Sequence, residues 1–327
     1  MFSTSLDVFF CICQKKAVPL RTIQNKCHMI LYPNCKINIG LHVVRKREDG
    51  YHDIETLFVP VYGLHDELEV LPVHDKTNTA KPLNDRLMFT QEGIAVDCPA
   101  EDNLIVKCYR RFAAKYPQTG PVQIRFRKNI PFGAGLGGGS SDAAHMAMAL
   151  NKLFDLGLSQ AQLAEEVRPL GADCPFFIYN VPCMAEGTGD ILTPVRVDMG
   201  RIRIIMVKPT EGVSTREAYA GIIPTSGPSL KEQVINGIQA TDIARFPELF
   251  ANDFEQTVFP KHLMIGEIKK RLLDAGAFYA SMSGSGSTVF GLFEHNAEGR
   301  SDARLRTFKE EFASMILLDD TLGQRKS

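Results

Sequence analysis

Pro131-Phe-Gly-Ala-Gly-Leu-Gly-Gly-Gly-Ser-Ser-Asp-Ala-Ala144 is the stretch that decides the fold. So many glycines in one short run leave the backbone free to turn its N–H groups around an anion, which reads as a phosphate cradle. Ahead of it, Val122, Ile124 and Phe126 alternate with Gln123, Arg125 and Arg127, the period-two pattern of a half-buried strand that ends before Pro131. Behind it, Ala143 to Phe154 is rich in Ala, Met and Leu and holds no Gly or Pro. That run predicts a helix, with Ser140 or Ser141 as its cap and Asp142 in its first turn. The order is strand, glycine loop, helix N-terminus. Unpaired N–H groups and a partial positive charge at such a terminus suit a polyphosphate held mainly by backbone.

Two better-known glycine loops are excluded by what surrounds this one. Gly133, Gly135 and Gly138 satisfy G-x-G-x-x-G, but a dinucleotide fold needs a strand with a terminal acidic residue directly after the crossover helix. A second helix follows here instead, opened by the box Ser159-Gln-Ala-Gln162, with Leu163, Val167 and Leu170 on one face. A Walker A loop needs Gly-Lys-Ser/Thr, and no lysine occurs between Lys128 and Lys152. A flexible linker suits Gly and Ser, but not a run clamped between a strand and a capped helix.

Composition bounds the remaining classes. A chain of 327 residues forms one large domain or two ordinary ones, and 44% hydrophobic with 23% charged residues is the balance of a globular enzyme. The formal net charge of -1 offers no global attraction to nucleic acid or anionic membrane, so phosphate affinity has to be local. No apolar run is long enough to span a bilayer. The cysteines at 11, 13, 27, 35, 98, 108, 174 and 183 form no C-x-x-C pair, which argues against zinc and for free thiols in a reducing cytoplasm.

The loop from Pro131 to Ser141 matches, without a gap, the Pro-x-Gly-x-Gly-Leu-Gly-Gly-Gly-Ser-Ser signature of the GHMP small-molecule kinases, and the chain resembles that superfamily. Pro33-Asn-Cys-Lys-Ile-Asn-Ile-Gly-Leu41 resembles its first motif and Ser283-Gly-Ser-Gly-Ser-Thr-Val-Phe290 its third. Gly50-Tyr51-His52, Glu101-Asp-Asn-Leu104, Gly171-Ala-Asp-Cys-Pro175, Ala185-Glu-Gly187 and Asn252-Asp-Phe-Glu255 resemble the branch whose acceptor is a cytidine diphosphate conjugate of methylerythritol. The resemblance runs from about Leu31 to Leu292. Its departures are Cys35, where a small Ala is usual, and Asp142, where some relatives carry Asn.

The resemblance implies an α+β, two-domain fold, with an N-terminal nucleotide-binding domain over 29–187, a C-terminal domain over 188–318, and the active site in the cleft between them. It implies ATP with magnesium as donor, and phosphorylation of the 2-hydroxyl of the methylerythritol moiety, a step of non-mevalonate isoprenoid synthesis. Lys36 and Asp173 are the implied catalytic pair. The implied ATP site comprises Asn103, Leu104, Lys128, Pro131, Gly133, Gly135, Leu136, Gly137, Gly138, Gly139, Ser140, Ser141 and Asp142. Asn38, Tyr51, His52, Phe58 and Tyr219 are implied at the acceptor, with Tyr51 and Tyr219 on the two faces of the cytosine and His52 at its edge. The metal ligand stays open among Ser141, Asp142 and Glu186. Partners are the two small molecules, without nucleic acid or membrane, and the chain is expected as a cytoplasmic monomer or homodimer. The other readings are another GHMP kinase, acting on homoserine, mevalonate or a sugar, and a nucleotide-binding relative that has lost catalysis.

Residue patterns alone give several of these positions plainer roles. Ile37, Ile39, Leu41 and Val43 alternate with Lys36, Asn38, Gly40 and His42, so Lys36 and Asn38 share the polar side of a half-buried strand, where a solvated lysine is the ordinary expectation. Asp102 or Asn103 reads as the cap of a helix over Leu104 to Tyr116, and Asp173 as a turn residue before a strand starting at Phe176. Ile54 to Val61 and Glu67 to Leu71 read as strands, and His74 to Asp85 as a surface loop. Ile202 to Val207 and Val289 to Phe293 read as later strands, and Met264 to Ala275 as a helix. Residues 1–28 are expected to be a disordered or loosely packed extension, and residues 319–327 a frayed tail.

Overall fold

The computed structural model describes residues 28–73, 86–95, 98–199, 202–224, 229–235, 238–239, 250–294 and 303–323. The expectations for residues 1–27, for the loop over 74–85 and for 324–327 lie outside the described residues.

In chain order the elements begin with strands β1 (Met29–Leu31), β2 (Asn34–Lys46), β3 (His52–His65), β4 (Glu67–Pro72) and β5 (Leu87–Gly93). Helix α1 (Leu104–Lys115), strand β6 (Val122–Lys128) and helices α2 (Gly138–Leu153), α3 (Gln160–Val167) and α4 (Cys174–Tyr179) follow. Next come β7 (Cys183–Glu186), β8 (Ile191–Pro194), β9 (Val197–Asp198), β10 (Ile202–Val207), α5 (Thr215–Tyr219), α6 (Leu230–Ile235) and β11 (Ile238–Gln239). The chain continues through α7 (Glu255–Val258), α8 (Leu263–Asp274), β12 (Tyr279–Met282), β13 (Val289–Glu294), α9 (Ala303–Glu311) and β14 (Ile316–Thr321). Helices and largely antiparallel sheets are mixed along the chain, an α+β fold.

Contacts divide the chain into two compact units that are not consecutive blocks. The first takes the chain up to Pro33, His65–Ile130 and Gly139–Tyr179, and the second takes Asn34–Leu64, Pro131–Gly138 and Asn180–Ser327. In the first unit a sheet runs in the order β1-β4-β6-β5, with β6 antiparallel to β4 and parallel to β5. Strand β6 behaves as its alternation demands. Val122, Ile124 and Phe126 are buried, while Arg125 and Arg127 point out to Glu69 and Glu92 on the neighbouring strands, at 3.3 and 3.1 Å. Asn103 caps α1, accepting from the Ile105 N–H at 2.9 Å, and Ser159 with Gln162 forms the expected capping box of α3.

Two expectations for this unit are corrected. Helix α2 starts at Gly138, so Ser140 and Ser141 lie within its first turn rather than capping it, and Asp142 opens the second. The glycines themselves adopt helical geometry there. Cys174–Tyr179 is a helix and no strand begins at Phe176; Phe176, Phe177 and Ile178 are all buried. A short, wholly apolar run has no period that separates strand from buried helix, and Pro175 suits a first helical turn because it needs no hydrogen-bonded N–H there.

In the second unit one sheet runs β2-β3-β7-β8 and another β12-β13-β10-β14. Its core gathers Leu41, Val43, Ile205, Val207, Ile265, Ile268, Leu272, Met282 and Val289. The half-buried expectation for β2 is corrected, since every residue from Asn34 to Val43 is buried, the polar face included. The frayed-tail expectation fails as well. Asp319 and Asp320 belong to β14, antiparallel to β10, where Arg203 donates to both carboxylate oxygens of Asp319 at 2.6 and 2.7 Å.

Candidate active site

The glycine loop is shaped by close backbone approach within the second unit. Gly133, Gly135 and Gly137 have φ of 64°, 75° and 68°, the left-handed region that a Cβ disfavours. At Gly135 a Cβ would lie 2.0 Å from the Ser283 carbonyl oxygen. Three hydrogen bonds hold the loop: the Ser283 hydroxyl donates to the Gly135 carbonyl at 2.9 Å, the Thr288 N–H to Ala134 at 3.3 Å, and the Lys36 N–H to Leu136 at 3.0 Å. The stretches 33–41 and 283–290, matched separately from the sequence, are thus joined through the loop.

On the polar face of β2, Lys36 donates to the Asn38 side-chain oxygen at 2.7 Å, and its ammonium lies 4.6 Å above the Phe58 ring. Asn38 in turn donates to Thr56 at 3.0 Å, and Thr56 donates to the Gly40 carbonyl at 2.6 Å. Gly40, at φ 62°, bends the strand there. Lys36 and Asn38 are only 4% and 2% exposed, so the ammonium is held in place by a ring and an amide. Thr56 escaped the sequence reading because a Thr in a strand is unremarkable until its cross-strand neighbour is known.

The remaining acceptor candidates fall into two places. His52 lies face to face with Tyr219, ring centroids 4.5 Å apart and planes 17° from parallel, and Phe254 meets Tyr219 edge-on at 4.7 Å. Tyr51 is 67% exposed at the hairpin turn. Phe58 is buried beneath Lys36 rather than beside that aromatic pair. Burial, followed by the charge of Lys46, pushes the His52 imidazole below its ordinary pKa, so it is neutral at physiological pH.

In the first unit, Lys128 sits between two buried carboxylates, donating to Asp66 at 2.5 Å and Asp142 at 2.8 Å. Asp66 also accepts from the N–H groups of Asn129 and Ile130, at 2.6 and 2.8 Å. The Lys128 ammonium is therefore committed to the protein. Burial is the largest single effect and lowers its pKa, but Asp142 and Asp66 together outweigh it and leave the pKa raised. Burial drives the Asp142 pKa well above the carboxylate range despite Lys128, and its second oxygen, Oδ1, is buried without a partner. The triad ties α2 to the end of β6, a link invisible in sequence because Asp66 is an isolated acid between two strands.

Asn103 and Leu104 start α1; Asn103 also donates to Gln91 at 3.4 Å, and Leu104 Cδ1 lies 3.6 Å from where Gly139 would carry a Cβ. Asp173 immediately precedes α4, in the turn closed by the Cys174 N–H on the Gly171 carbonyl at 3.1 Å. Cys174 beside it is pushed up to about 12 by burial, against the bond from Ser140 and with the charge of Asp173 adding, which leaves an inert thiol. Ser141 is buried 3.4 Å from the His145 imidazole.

Among the described residues, no three of His, Cys, Asp and Glu are grouped to hold a metal ion. Of the three open candidates, Asp142 faces Lys128 and Glu186 is paired with Lys231 at 2.9 Å. No helix of the described residues is long and apolar enough to cross a membrane.

These elements are shared with known proteins. The family of GHMP kinases N terminal domains matches residues 103–180, and that of GHMP kinases C terminal domains matches 234–308. A 4-diphosphocytidyl-2-C-methyl-D-erythritol kinase of Bacteroides thetaiotaomicron is 46% identical over 267 residues, covering 81% of this chain and 92% of its own. One of Parabacteroides distasonis is 44% identical over 266 residues, with the same coverage. A crystal structure of 4-(cytidine 5'-diphospho)-2C-methyl-D-erythritol kinase superposes with a TM-score of 0.72 at 32% identity, covering 90% of this chain and all of that one. With a glycine loop stitched between its first and third motifs and this level of identity over most of its length, the chain belongs to the 4-diphosphocytidyl-2-C-methyl-D-erythritol kinase family of the GHMP kinase superfamily.

Proposed function

We propose that this enzyme transfers the γ-phosphoryl group of ATP to the 2-hydroxyl of 4-diphosphocytidyl-2-C-methyl-D-erythritol, in the cytoplasm, as a step of isoprenoid precursor synthesis. The observation that carries the reading is the placement of Lys36. Its backbone N–H is bound to the glycine loop at Leu136 while its ammonium is fixed by Asn38. A cation thereby stands in fixed register with a phosphate cradle.

Phosphoryl transfer asks a protein mainly for positioning and charge neutralisation. The acceptor oxygen forms a bond to the γ-phosphorus as the bond to the β–γ bridging oxygen breaks, and ADP leaves. In this reading Asp173 takes the hydroxyl proton, Lys36 offsets charge on the moving group, and the amides of 133–141 hold the nucleotide phosphates. Asn38 orients Lys36. Asn103 and Leu104 bound the adenine end, and Lys128 and Asp142 act by holding α2 in place. Tyr51, His52 and Tyr219 form the cytosine site; because His52 already covers one face of Tyr219, the exposed Tyr51 ring is the stacking platform for the cytosine. Magnesium would be carried mainly by the nucleotide phosphates and water, as is usual for an ion that keeps most of its hydration, and adds to charge neutralisation. The family matches fall on either side of residue 188, while the compact units interleave, with Asn34–Leu64 and Pro131–Gly138 grouping with the C-terminal part rather than with the rest of 29–187. Phosphorus NMR of the product tests the reading: a new phosphomonoester on the 2-carbon with one ADP per turnover is expected, and ATP loss without that ester would overturn it.

A further inference from the structure

One histidine outside the site just described bridges two carboxylates. His262, the residue preceding α8, meets Glu211 through Nδ1 at 2.9 Å and Glu217 through Nε2 at 3.2 Å. Glu217 lies in α5, the short helix that ends in Tyr219. Glu211 precedes that helix, and its carbonyl accepts from the Ser287 hydroxyl of the third-motif loop at 2.6 Å. Helix α5 is also held by the Ser214 cap, by Thr257 donating to the Ala218 carbonyl at 2.6 Å, by Thr215 meeting Ser285 at 3.3 Å, and by the packing of Ala218 and Tyr219 on the core.

A neutral imidazole has one N–H, so it can donate to only one of two carboxylates; the imidazolium donates to both. We infer that His262 is a positioning residue for the acceptor site, its protonated form bridging Glu211 and Glu217 and so fixing α5 and the Tyr219 ring against His52. The titratable groups facing the imidazole are Glu211 and, from α5, Glu217; the backbone N–H of His262 is bound separately to the Val258 carbonyl at 2.9 Å. Burial and the adjoining helix N-terminus oppose the charge, but the bonds from the two carboxylates outweigh them and raise the pKa. The bridge is therefore complete at low pH and is lost as pH rises through that raised value. The inference rests on the assignment of Tyr219 and His52 to the acceptor.

The test follows the full-length enzyme by NMR and steady-state kinetics between pH 5.5 and 9. The His262 resonance, assigned by its loss in His262→Gln, is expected to titrate above the ordinary value of about 6.5, with the Tyr219 ring signals moving at the same midpoint. Over that interval KM for the cytidine conjugate should rise about threefold or more, with KM for ATP unchanged. His262→Gln, which keeps one donor, should show the raised KM at every pH, and His262→Arg, with permanent donors, should keep it low. A Tyr219 signal indifferent to the His262 titration, or a Gln variant with the wild-type KM profile, would overturn the inference. Should the conjugate prove not to be an acceptor, the functional reading fails, while the NMR arm still decides the bridge.

Discussion

Lys36 and Asn38, two residues apart on the same face of β2, are joined by a 2.7 Å hydrogen bond at a position where both are almost wholly buried. A lysine in such surroundings loses most of its solvation and has to be held by fixed protein groups, the Asn38 amide and the Phe58 ring among them. In the proposed mechanism this preorganised ammonium offsets charge on the transferred phosphoryl group. Lys36→Met should therefore lower kcat by about 10²–10³, the usual loss on removing one preorganised group from developing charge, while the fold persists. Thr56→Val, which strands the Asn38 amide, should cost about 1–3 kcal/mol of stability by urea denaturation and a smaller part of kcat. A Lys36→Met enzyme with wild-type turnover would remove the lysine from the mechanism.

Asp173→Asn should lower kcat about a hundredfold or more, because loss of a positioned base typically removes roughly 10²–10⁴ in rate. ATP affinity by calorimetry should stay near that of the wild type. Joint loss of ATP binding and turnover would instead give the residue a structural role in its turn.

The glycines of the loop are not equivalent. At Gly133 an added Cβ meets nothing within 4 Å, so Gly133→Ala carries only the cost of the left-handed backbone, about 1–2 kcal/mol. At Gly135 the same methyl group would sit 2.0 Å from the Ser283 carbonyl. Gly135→Ala should raise KM for ATP by at least tenfold more than Gly133→Ala, since displacing that carbonyl moves the cradle by roughly an ångström. Equal effects would show that the loop tolerates the shift.

The buried triad in the first unit gives a prediction with a definite sign. Asp142 has a raised pKa in the folded state, so its contribution to stability is complete below the unfolded value of about 3.9 and is lost as pH climbs through the folded value. Asp142→Asn should therefore gain on the wild type in denaturation experiments as pH rises from 4 to 8. Asp66→Asn is the opposite case, because it leaves the Lys128 charge without its better-bonded partner, and should cost about 3–5 kcal/mol. An Asp142→Asn protein that loses ground with rising pH would mean that the carboxylate is ionised in the fold.

Local patterns were enough for the strand, loop and helix over 122–153, because the alternation of β6, the glycine run and the apolar helix each follow from neighbours in the chain. They did not reveal that Lys36 is buried, since what covers the polar face of β2 comes from distant segments. Phe176 was misread for want of a period, and β14 because Asp319 looks like tail until Arg203 stands opposite it. The catalytic candidates came from motif likeness; their supports, Thr56, Asp66 and His262, came only with the fold. Isolated polar residues carry no local pattern, and their roles depend on partners 18 and 62 residues away or, for His262, 51 and 45 residues away.

The central claim is that this kinase selects a cytidine diphosphate conjugate as acceptor. The most direct measurement is kcat/KM for ADP release with saturating ATP and magnesium, compared between that conjugate, its uridine analogue, mevalonate and homoserine. The account predicts a preference for the conjugate of at least about 10³ over mevalonate and homoserine and about tenfold or more over the uridine analogue, since hydrogen bonding to the base edge is what separates cytosine from uracil. Comparable turnover of mevalonate or homoserine, or none of the conjugate, would contradict it.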